Sequence, residues 1–178
     1  MLLFTGRSIW TMVHGIALGG GAMMALFGTL LLIYARGAAR EPGAEAAGPT
    51  RLVGLLSAAA AGLSWVTVLV GTYIVFPPYR ATPPEGATDL TPYPRSLIQS
   101  DPSTVWLHSF AMEIKEHVPW IAAMLATAVA FVATRHGDRL WRDVSTRRTT
   151  MAWLAISLAL VSAVALLGVF VNKVAPVQ

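Results

Sequence analysis

The chain has 178 residues, of which 55% are hydrophobic and only 12% charged, with a mean hydropathy of +0.60. A soluble domain carries roughly a quarter charged residues, so this composition excludes a water-soluble globule and, with four long apolar runs, implies one integral membrane domain. The net charge of +4 does not point to nucleic acid, because the basic residues gather in two short loops between apolar runs, and the absence of cysteine excludes disulfides, thiolate-held iron–sulfur clusters and thioether-attached haem in this chain.

The first apolar run, about 9–34, is too long for a signal-peptide core and reads as the first transmembrane helix. It holds His14 among Gly15, Gly19, Gly20, Gly21 and Gly28, small residues that admit another helix or a flat cofactor. The following loop, 35–51, is rich in Ala, Gly and Pro and carries Arg36, Arg40 and Arg51 with Glu41 and Glu45. A second span over about 52–76 carries Gly54, Ala58 and Gly62 at four-residue spacing, a small-residue face suited to close helix contact.

Residues 77–103 contain seven prolines together with Tyr79, Tyr93, Arg80 and Arg95. Proline cannot continue a helix, so this is a stiff, extended outer loop, and its aromatic and aliphatic residues predict an ordered lid. Asp101 and Ser103 supply helix-start chemistry for a third helix over about 104–134. An Arg-rich loop precedes the fourth span, about 150–171, whose Ala155, Ala159 and Ala163 suggest another small face.

Orientation follows from counting. The 1–2 and 3–4 loops hold eight Lys/Arg and the Pro-rich loop two, so the Arg-rich loops are expected in the cytoplasm of a bacterial inner membrane, with both termini and the lid outside.

Ionisable residues concentrate in W-L-H-S-F-A-M-E-I-K-E-H-V-P-W, residues 106–120. Charge at membrane depth is costly and marks a functional candidate. His108 and His117 are nine residues apart, half a turn out of phase, and so point to opposite helix faces. His117 shares a face with Glu113, which would accept from its imidazole and fix the ring; His108 shares one with Met112, with Lys115 close by. His117 and His14 fall at similar depth from the outer side, and two imidazoles across a bundle suit the axial positions of a b-type haem. Arg80 and Arg95 would then neutralise haem propionates. His108 is a second-rank ligand, a proton-transfer group at a quinone site, or an interfacial side chain.

The plan of four spans with His14 and His117 on different helices resembles the small four-helix membrane anchors of respiratory enzymes. The resemblance implies a four-transmembrane-helix bundle, haem b between histidines, and electron transfer between a quinone or other membrane carrier and a partner protein at the outer face. Two alternatives stand beside it. One is a non-catalytic subunit that docks partners through the charged stretch and the lid, with structural histidines. The other is a proton path through Glu113, Glu116 and His117, weakened by the lack of ionisable groups deeper in the spans.

Overall fold

The computed structural model describes residues 5–38 and 50–176. Arg40, Glu41 and Glu45 of the expected first loop lie outside the described residues. Four helices are long and apolar enough to cross a membrane: α1 (Gly6–Gly37), α2 (Thr50–Tyr79), α4 (Leu107–Arg135) and α6 (Val144–Val174). Between them lie two short helices, α3 (Pro94–Gln99) and α5 (Gly137–Arg142). The described residues are largely helical and contain no strand, and their four long apolar helices are of the kind an integral membrane protein is built from.

α1, α2 and α6 run past both of their expected ends, because hydropathy marks only the hydrocarbon-crossing part. At the α2 terminus Pro77 and Pro78 are helical rather than looped. They follow a π-helical turn over Gly71–Val75, where the regular i→i−4 ladder has already been broken and their missing N–H groups matter little. At the start of α4 the opposite happens. Asp101 accepts from the Ser103 N–H at 2.8 Å, forming a local turn that delays the helix to Leu107.

The seams are made of small and β-branched residues that alternate three- and four-residue steps, the pattern that keeps one face toward a neighbour. On α1 these are Ala22, Leu26, Thr29 and Ile33; on α2, Val53, Ser57, Ala60, Ser64 and Val68; on α4, Ala122, Ala126, Val129 and Ala133; on α6, Thr150, Leu154 and Ser157. The expected small faces are therefore corrected. Gly54 does pack against α4, where an added Cβ would stand 3.4 Å from Thr134 Cγ2, but Ala58 and Gly62 are exposed, as are Ala155, Ala159 and Ala163. A strict four-residue repeat rotates about 40° per step and leaves the seam after one turn.

Two buried clusters result. The larger fills the bundle toward the Arg-rich end and includes Leu26, Ile33, Val53, Val129, Leu140, Trp141 and Leu154. The smaller sits at the opposite end, where Ile98 of α3 packs with Tyr79, Leu107, Ala111, Met112 and Ala175. Part of the Pro-rich loop is thus folded onto the end of the bundle, which fixes the height of Tyr79 and of the first turns of α4.

Candidate functional site

Three of the four long helices depart from α geometry at the same end of the bundle. π-helical turns span Val13–Gly19 in α1, Gly71–Val75 in α2 and Leu107–Met112 in α4. A π-turn inserts an extra residue, re-aims the side chains around it, and occurs frequently at functional sites. Here the three turns carry His14, Gly71 and His108.

His14 lies against Gly71. A Cβ added there would stand 2.7 Å from His14 Cε1, so the imidazole occupies the space a side chain would need. Its Nδ1 is buried with no hydrogen-bond partner, a costly condition for a polar atom. Lys115 of α4 reaches inward as well, its Nζ 2.9 Å from where a Cβ on Gly168 of α6 would be, within electrostatic range of the His14 ring. His14, Gly71, Lys115 and Gly168 thus bring all four long helices to one level.

A second level lies above it. Seven residues separate His108 from Lys115, roughly 10 Å of helix rise. There the Tyr79 hydroxyl and His108 Nδ1 share a hydrogen bond of 3.0 Å. The Phe76 and Tyr79 rings stack with centroids 5.8 Å apart, Met112 is buried beside Tyr79, and Arg95 and Glu116 are within electrostatic range of the Tyr79 hydroxyl. Arg80 instead folds over the Phe76 ring, 5.6 Å from its centroid.

The opposite phase of His108 and His117 is present, but the face expected to turn inward is the wrong one. His117 projects outward, with 73% of its side chain exposed and 62% of that of Glu113. Its Nδ1–H donates to the Glu113 carbonyl at 2.8 Å, while the Glu113 carboxylate is 3.9 Å away. The reason is the seam. Ala122 and Val129 face the bundle, and counting back in sevens from Ala122 reaches Lys115 and then His108. That spacing is visible in the sequence, but it places both inside only once the structure has shown Ala122 and Val129 to form the seam. Tyr79 was expected only as one of the aromatic residues of the lid, and no residue pattern announced Gly71 as a seat for His14.

A six-coordinate b-type haem held by two histidines needs two axial nitrogens on one iron. The orphaned His14 Nδ1 fits one of these. His117 points away from it, and His108 is a level higher and bonded to Tyr79, so these residues do not fit a haem held between two histidines inside this bundle. Among the described residues no group of three or more His, Asp or Glu side chains gathers to hold a metal ion.

No family model, curated protein or solved structure matches this chain.

Proposed function

We propose that the protein is a membrane subunit that takes up the headgroup of a quinone-type carrier at the lid-covered end of the bundle and passes its electrons to a partner protein. The Tyr79–His108 hydrogen bond carries this proposal. It joins α2 to α4, with the Tyr79 ring stacked on Phe76, and sets a hydroxyl and an imidazole side by side. Oxidation of a hydroquinone releases two protons and two electrons. Tyr79 and His108 would hydrogen-bond the quinol hydroxyls, the His108 imidazole taking one proton and water at the outer end of the bundle the other, with His14 and Lys115 closing the polar floor below. The electrons go to a redox centre on the partner. The arginine count supports an orientation with the Arg-rich end in the cytoplasm of a bacterial inner membrane, and in that orientation the site and both termini face outward.

Quenching of tryptophan fluorescence by a short-chain quinone, titrated into the full chain in detergent, tests the proposal. Losing one hydrogen bond of about 1.4 kcal/mol corresponds to about tenfold in affinity. Tyr79→Phe and His108→Ala should each weaken binding by that order, and His117→Ala should not. Equal affinity in all four proteins, or no quenching, would overturn it. A reduced-minus-oxidised spectrum with a haem α band that disappears in His14→Ala and His117→Ala would favour the haem pairing instead.

One observation favours a second reading, a docking subunit without redox chemistry. Glu113 and His117 project away from the bundle a short way into a spanning helix, where charged groups are expected to find protein partners. In that case Glu113→Ala/His117→Ala shrinks the complex extracted from native membranes and leaves quinone binding untouched.

A further inference from the structure

At the other end of the bundle, a cavity of ≈280 Å³ opens between the start of α2 and the junction of α4 with α5. Thr50, Thr134, Arg135, His136, Asp138 and Arg139 are among the residues lining it. Its walls are fixed by close packing. Gly137 touches Thr50 Cγ2 so tightly that no Cβ fits. Trp141 Nε1 donates to Thr50 Oγ1 at 3.2 Å, and the Thr134 hydroxyl donates to the Ala130 carbonyl at 2.7 Å. With the two threonines so engaged, the groups left to hold a ligand are the cations.

Arg135 and Arg139 are both exposed, and the single ion-pair contact among the described residues is His117 with Glu113, at the far end. Among the described residues neither guanidinium makes an ion-pair contact with a carboxylate, although Asp143 lies within electrostatic range of Arg139. Arg147 nearby is committed otherwise, lying against Gly37 and donating to the Leu140 carbonyl at 3.5 Å. Asp138 supplies one negative charge to the lining against two arginines. On the cavity's flank the His136 ring meets Phe131 edge-on at 5.6 Å, and Phe131 is 58% exposed on the membrane-facing side of a spanning helix.

We propose that this cavity binds the phosphate of an anionic phospholipid. Arg135 and Arg139 take the phosphodiester oxygens, for which the planar guanidinium fork is suited. Phe131 lies against the attached chains, and basic pockets between spanning helices at headgroup level are where such lipids are recognised. The exposed aromatic flank selects a lipid over a free anion.

The full chain in a nonionic detergent is titrated with phosphatidylglycerol, phosphatidylcholine or inorganic phosphate while its thermal unfolding is followed. Phosphatidylglycerol raises Tm, and its half-saturating concentration rises on the order of tenfold or more in the double variant R135Q/R139Q, given about 1 kcal/mol per basic residue near a charged surface. Arg148→Gln, which removes one exposed charge from α6, shifts it less than twofold. Inorganic phosphate leaves Tm unchanged. Equal stabilisation by phosphatidylcholine overturns the proposal, as does an equal loss in R148Q, which reports general surface charge. Equal protection by inorganic phosphate also overturns it and marks a soluble-anion site. Should the double variant fail to fold, the count of lipids retained by R139Q and R148Q in native mass spectrometry makes the same comparison.

Discussion

At the level of single residues, this protein is governed by close approaches that only glycine permits. Gly71 gives up its Cβ volume to the His14 ring, and Gly137 gives up its own to Thr50. The second contact supports a clean prediction. Gly137→Ala forces Cβ into Thr50 Cγ2 and should destabilise the protein by about 1–3 kcal/mol. Adding Thr50→Ser removes that methyl while keeping the hydroxyl that accepts from Trp141, so the double variant should recover most of the loss in a thermal melt. A melt unchanged by Gly137→Ala would show that the α2–α5 contact is slack. His14, His108, Met112 and Lys115 were all recognisable as candidates, because each is a polar or polarisable group in an apolar stretch. Gly71 and Tyr79 were not recognisable as their partners, since a contact between two helices leaves no trace in either helix's own spacing.

At the level of elements, helix periodicity was legible and its interruptions were not. A π-turn is one inserted residue with no compositional mark, and three of them re-aim His14, Gly71 and His108. Helix ends were not legible either: the fourth span was expected from about 150, and its helix begins at Val144. Asp143 begins α6 by accepting from the Ser145 and Thr146 N–H groups, each at 3.0 Å, and the hydrogen bond from the Thr146 hydroxyl, followed by these two, holds its carboxyl below the ordinary value of 3.8. A depressed carboxyl contributes stability that is fully present above the unfolded value, about pH 4, and is lost as pH falls through the folded one. Amide exchange at Ser145 and Thr146 should therefore accelerate below about pH 4, relative to the intrinsic rate. Asp143→Ala should show that fast exchange already at pH 7, and identical protection in the two proteins would remove the cap from the account.

At the level of the whole molecule, the two buried clusters divide the labour. The larger holds four helices together; the smaller holds part of the Pro-rich loop onto one end, with Ile98 fully buried at its centre. Ile98→Ala should weaken the cap by about 2–5 kcal/mol, the range for a buried aliphatic side chain cut to alanine. Hydrogen exchange should then rise across residues 94–99, while the α2–α4 seam around Ala60 and Ala126 stays protected. Loss of protection at both ends together would mean that the clusters form one cooperative unit. The sequence by itself determined an all-helical fold class with four helices long and apolar enough to cross a membrane, because hydropathy over about 20 residues is a local property. It also determined that His108 and His117 diverge, since helical phase is a property of one helix. Only the tertiary structure decided which of them faces inward, because that choice belongs to the Ala122–Val129 seam packing against the neighbouring helices, and to the π-turns that set where each side chain meets its partner.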